Sequence, residues 1–195
     1  MRYQFILILL LFSFTSFAQQ QKHTIIYMTG GAGVGNFYGP SLGVELGIAD
    51  RYSLGFTYYD HKKLPANRPS DYKSGITGMF SFWGNVARDH LQSYAFTGGI
   101  YLPTQSEKSR WHLKAGIVRE QVSYPVNWEK INNSQTDENY NYTIRQKNTW
   151  GILLNPTYEI TLYRVFGLAA GPYLLLNKEK SSVGIEVNYL LGSLH

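Results

Sequence analysis

Apolar and polar side chains alternate with a period of two along most of this chain, in runs of about 9–11 residues, the mark of half-buried strands rather than helices. In 41–49, Leu42, Val44, Leu46 and Ile48 share one face, and Gly43, Glu45 and Gly47 share the other. In 52–60, Tyr52, Leu54, Phe56 and Tyr58 alternate with Ser53, Gly55, Thr57 and Tyr59. The apolar sets continue as Ile76, Phe80, Phe82 and Val86 in 76–86, and as Tyr94, Phe96, Ile100 and Leu102 in 93–102. Trp111, Leu113, Ala115 and Ile117 follow, and then a long run from Trp150 through Ile152, Leu154, Pro156, Tyr158 and Ile160 to Leu162. The last two sets are Phe166, Leu168, Ala170, Pro172, Leu174 and Leu176, and Val183, Ile185, Val187, Tyr189 and Leu191.

These eight segments predict an all-β fold. A ninth candidate, 24–35 (TIIYMTGGAGVG), is loaded with glycine. Leu162 to Phe166 is short enough for a tight turn, whereas 119–148 is long and polar. If the eight segments from 41 onward close on themselves, 24–38 is not needed. That parity makes 61–74 (HKKLPANRPSDYKS) a long connection on the same side as the tight turn. If 24–35 is a strand, a further one must accompany it, and the count becomes ten, because closed barrels of this kind carry even numbers.

A soluble β-sandwich alternates in the same way. Two features favour a closed antiparallel transmembrane barrel. Aromatic residues recur near segment ends, at Tyr52, Tyr58, Tyr94, Trp111, Trp150, Tyr158 and Tyr189, as interface girdles do. Ionisable residues (Glu45, Lys114, Glu159, Glu186) sit mid-segment opposite a nearly charge-free apolar face.

The N-terminus sets the compartment. Arg2, the apolar run Phe5 to Phe12 and the Ser16-Phe17-Ala18 site read as a secretory signal peptide cleaved after Ala18. The apolar run is shorter than the roughly 20 residues of a spanning helix. The domain plan is therefore a signal peptide over 1–18 and one domain over 19–195. The chain has no cysteine, which excludes disulfides, thiolate metal sites and a cysteine nucleophile. It has 16 Tyr and 19 Gly, the composition of strands that meet a membrane interface. Net charge is +5 and scattered, which fits a solvated surface or anionic headgroups and not nucleic acid.

With its signal peptide, strand repeat and closing segment SVGIEVNYLL, the chain resembles the small outer-membrane β-barrel proteins of Gram-negative bacteria over its whole mature length. The chain runs on past that segment as Gly192-Ser193-Leu194-His195, a departure from the terminal aromatic common in such barrels. The resemblance implies an eight-stranded monomer, inserted by the barrel assembly machinery and surrounded by outer-membrane lipid.

Little catalytic chemistry stands out. GGAGVG at 30–35 imitates a phosphate loop, but Asn36 stands where the lysine should be. The neighbours Asp60–His61 and Asp89–His90 point to opposite faces of a strand and form no dyad. His112 shares its face with Lys114, and no Ser–His–acid geometry can be assembled from spacing alone. No cofactor or metal is expected. Lys114 with Glu45, Glu159 and Glu186 reads as a lumen charge network, since charges enclosed in a narrow barrel must be paired. In 119–148, Val122, Tyr124, Val126 and Trp128 alternate, as do Tyr140, Tyr142 and Ile144, around the polar tip SQTDEN. This predicts an extracellular hairpin, with Tyr124, Trp128, Tyr140 and Tyr142 as its candidate binding aromatics. The expected role is structural or surface-interacting. The alternatives are a narrow channel or small-ligand carrier, and a lipid-modifying enzyme.

Overall fold

The computed structural model describes residues 24–73, 86–131 and 138–194. Eight antiparallel strands form a closed ring in chain order. They are β1 (Thr24–Gly35), β2 (Tyr38–Ile48), β3 (Tyr52–Lys63), β4 (Asp89–Pro103), β5 (Ser109–Lys130), β6 (Tyr140–Tyr163), β7 (Phe166–Asn177) and β8 (Ser182–Gly192). β1 pairs with β2 along one edge and with β8 along the other, from Tyr27↔Gly192 to Gly35↔Gly184. No strand edge is left open, and a closed ring pairs its backbone groups without help from solvent.

The strand count is eight, but its membership differs from the sequence expectation. The glycine-loaded segment 24–35 is β1. The expected strand 76–86 lies outside the described residues except for Val86, which belongs to no strand. β3 pairs directly with β4 from Tyr52↔Ile100 to Lys63↔Asp89, so the ring closes without that segment. Adding β1 reverses the parity. The short turns 49–51, 104–108 and 164–165 share one rim with the ends of β1 and β8. The long connections 64–88 and 131–139 share the opposite rim. The segment 61–74 is therefore not on the tight-turn side. It starts within β3 and continues on the same rim as the long hairpin.

Alternation places the apolar set outside. Ile185 is 61% exposed and Val187 55%, while Glu186 between them is 2% exposed. A sandwich would bury the apolar face, so the direction of the pattern identifies a barrel. Among the described residues no helix is long and apolar enough to cross a membrane.

The interior is filled. At the turn rim Ile25, Tyr27, Tyr101, Ala169, Leu190 and Leu194 form one cluster. The C-terminal departure seen in the sequence has a structural use here, since Leu194 folds into this plug while the Ser193 amide donates to Ile26 O at 2.9 Å. Further up, Tyr59, Ala95, Val118, Leu153, Tyr173 and Leu175 pack together. Phe37, Leu91 and Val122, with Tyr124 against them, close the loop rim.

Candidate functional site

All four lumen charges predicted from the sequence point inward and are buried or nearly so, and Lys114 interacts electrostatically with all three carboxylates while making its direct contact to Glu45. Lys114 Nζ lies 3.2 Å from Glu45 Oε1. The Glu45 carboxyl rests over Gly55, where an added Cβ would come within 2.5 Å of it. Glycine there makes the room that the carboxylate occupies. Glu186 accepts from Ser41 Oγ at 2.6 Å. The direct hydrogen-bond partners of Glu159 are different ones. Its Oε2 accepts from Arg110 Nε at 2.7 Å, and its Oε1 accepts from Tyr27 OH at 3.0 Å.

The same Oε1 lies 2.8 Å from His112 Nδ1, and His112 Nε2 lies 2.7 Å from Ser53 Oγ. Ser53, His112 and Glu159 thus stand in a row inside the barrel, on β3, β5 and β6. The row crosses β4 at Gly99, where an added Cβ would come within 2.5 Å of Ser53 Oγ and 2.8 Å of His112 Nε2. Glu159 is a carboxylate balanced by Arg110, so its Oε1 accepts a hydrogen bond from the Nδ1–H of His112. His112 is then the neutral tautomer with a free lone pair on Nε2, which accepts the Ser53 hydroxyl. The Tyr101 ring lies tilted against His112 with centroids 4.3 Å apart, and the Arg110 guanidinium sits 4.0 Å from the centroid of the same Tyr101 ring.

At the loop rim β5 and β6 run beyond the other strands and stay paired to Lys130↔Tyr140, with one bulge between Val126 and Glu129. Asn127 takes a positive φ of 54° within it. Trp128 packs against Tyr140 and Tyr142 on the facing strand and against Tyr72 from the 64–88 connection. Tyr124 turns the other way, into the mouth of the barrel, under the Lys180 ammonium. The aromatics proposed as a binding set are therefore divided: Trp128 and Tyr140 hold a neighbouring loop, Tyr142 packs on Trp128, and Tyr124 caps the lumen.

That loop is fastened by polar contacts as well. Lys130 Nζ and Tyr140 OH each donate to Asp71 at 2.6 Å, Asn67 Nδ2 donates to Pro125 O, and Tyr72 donates to Glu138. The hydrogen bonds from Lys130 and Tyr140 hold the Asp71 carboxyl below its usual range. Burial, with the adjacent Glu138 carboxylate, pushes Tyr142 up to about 12 and raises Tyr72 as well. The polar tip at 132–137 lies outside the described residues.

The crystal structure of the N-terminal β-barrel domain of Pseudomonas aeruginosa OprF superposes with a TM-score of 0.50 at 13% identity, covering 88% of this chain and 98% of that one. The crystal structure of Ail, the attachment invasion locus protein of Yersinia pestis, superposes with a TM-score of 0.50 at 8% identity, covering 87% and 96%. The fold is that of the small eight-stranded outer-membrane barrels. At this identity the likeness is one of fold alone. No protein-family model and no curated protein matches the chain.

Within that barrel, several polar pairs escaped sequence reasoning. Asp60 contacts His90 across β3 and β4, and Lys180 reaches Asp89 from the β7–β8 turn. The Ser53–His112–Glu159 row was hidden for a definite reason. All three residues are on the inward parity, which is legible, but the stagger between strands is not. Ser53 pairs with Gly99, whereas His112 pairs with Tyr101, two residues further along β4. Only the ring's slant brings them together. Among the described residues no group of three or more ligating side chains is gathered for a metal.

Proposed function

We propose that the chain is an integral outer-membrane barrel whose lumen is closed by its own side chains, and that its role is structural or surface-interacting. The observation that carries this reading is the pairing of an apolar exterior with a lumen filled at both rims and in between. An eight-stranded ring is only wide enough for such filling. The turn rim faces the periplasm, and the loop rim, with the 64–88 connection clasped to the β5–β6 hairpin, faces outward. Outer-membrane lipid covers the exterior, the barrel assembly machinery closes β1 on β8, and the protein acts as a monomer. Residues 1–18 are removed on export. The ligand or partner contact belongs to the clasped loop surface.

Reconstitution in a planar bilayer tests this. The folded protein, identified by a faster-migrating band in unboiled samples, is expected to show no steady conductance. A stable ohmic conductance from the folded band would replace this reading with a narrow channel.

A further inference from the structure

We propose that Ser53 is a nucleophile, activated by His112 and oriented through Glu159, which takes acyl groups from small, neutral carboxylic esters reaching it from the turn rim. Three independent observations support the assignment. The first is geometric. Ser53 Oγ to His112 Nε2 is 2.7 Å and His112 Nδ1 to Glu159 Oε1 is 2.8 Å, the spacing of a nucleophile, its base and the group that orients the base. The second is the charge balance. Arg110 neutralises Glu159 and Lys114 pairs with Glu45, so the imidazole stays neutral and able to accept a proton.

The third is access. A cavity of about 430 Å³ opens at the turn rim, and Tyr101 and Arg110 are part of its wall. Both touch the row directly, Tyr101 on the His112 ring and Arg110 on the Glu159 carboxylate. The Tyr101 ring is thus the partition between the cavity and the His112 ring. The lining carries both signs, with Asp50 and Glu107 against Lys108 and Arg110, which favours no charged substrate. The volume lies at the small end of the range for ligand pockets.

The chemistry balances without any co-reactant but water. Ser53 Oγ bonds to the ester carbonyl carbon as its proton passes to His112 Nε2. The bond from that carbon to the alkoxy oxygen breaks, and the alcohol leaves with the proton from His112. Water then attacks the acyl-serine, gives a proton to His112, and releases the carboxylic acid as the proton returns to Ser53 Oγ. Ser53 and His112 are catalytic residues, and Glu159 is a positioning residue.

The test treats the full-length folded protein in detergent with a small sulfonyl or phosphonyl fluoride and locates the adduct by peptide mass spectrometry. A p-nitrophenyl acetate assay runs in parallel. The expected result is one adduct per chain, on Ser53, in the faster-migrating folded band. Ser53→Ala removes both labelling and ester cleavage, and His112→Ala slows them by roughly 10³-fold or more. Glu159→Gln slows labelling, and Glu159→Asp restores part of the rate, which a merely structural carboxylate would not do. Tyr101→Ala thins the partition and speeds labelling. Because the adduct is mapped on the unmutated chain, the outcome does not depend on variants that fail to fold. Absence of a Ser53 adduct on the folded band, or cleavage that survives Ser53→Ala, overturns the proposal and leaves the barrel assignment untouched.

Discussion

Lys114 and Gly55 together show how a narrow lumen accommodates charge. The ammonium stands 3.2 Å from a carboxylate that is 1% exposed. Removing one member of such a pair leaves a buried charge without its partner, at about 3–5 kcal/mol. Lys114→Ala is therefore expected to lower the urea midpoint of the detergent-folded barrel by that equivalent. A shift under about 1 kcal/mol would mean that Glu45 is solvated, as exposed pairs are. Gly55→Val tests the other half of the arrangement, since its Cβ would meet the Glu45 carboxyl at 2.5 Å. Overpacking of this kind costs about 1–3 kcal/mol. Gly98 is the control. It faces outward with nothing within 4 Å of an added Cβ, so Gly98→Ala should change stability by less than about 0.5 kcal/mol.

The elements differ in how plainly the sequence announces them. β2, β3 and β8 alternate strictly and were legible. β1 was legible only as a candidate beyond the favoured eight, because its second half is loaded with glycine. The structure gives the reason for those glycines. At Gly31 and Gly35 an added Cβ would come within 2.0 Å of the carbonyls of Val187 and Val183 on β8. The strand that closes the ring is thus kept bare where it meets its partner. Conversely, 76–86 carried alternation of the same kind, and all but Val86 lies outside the described residues, while β3 pairs directly with β4. The β5–β6 extension was legible as a hairpin, but its contact with Tyr72 and Asp71 was not, because loops bear no periodicity.

That clasp has a definite pH range. Asp71 is depressed in the folded state, so its contribution is present above the ordinary aspartate value of about 3.9 and is lost as pH falls through its lower native value. Lys130 is raised by Asp71, so its contribution is present below the ordinary lysine value of about 10.4 and is lost as pH rises through its higher native value. Protease nicking within 64–73 is therefore expected to be slow and flat between those limits and faster outside them. Asp71→Ala should remove the pH dependence at the acid end. Equal nicking rates for both proteins at neutral pH would show that the aromatic contacts alone hold the loop. Deleting 129–139 should free the same loop while leaving the folded band intact, since β5 and β6 stay paired through Ser109–Val126.

At the scale of the whole molecule, one ring separates two environments with opposite demands. The outside is apolar where lipid must be met, and the inside gathers acids, bases, hydroxyls and tyrosines. The central claim is this inside-out arrangement. Because the chain contains no cysteine, single-cysteine spin labels along β8 can test it without background. In bilayers, collision with dissolved oxygen should be high at Val183, Ile185, Val187, Tyr189 and Leu191, and low at Gly184, Glu186, Asn188 and Leu190. A flat profile, or high contact with a water-soluble relaxant at the first set, would contradict a lipid-facing barrel.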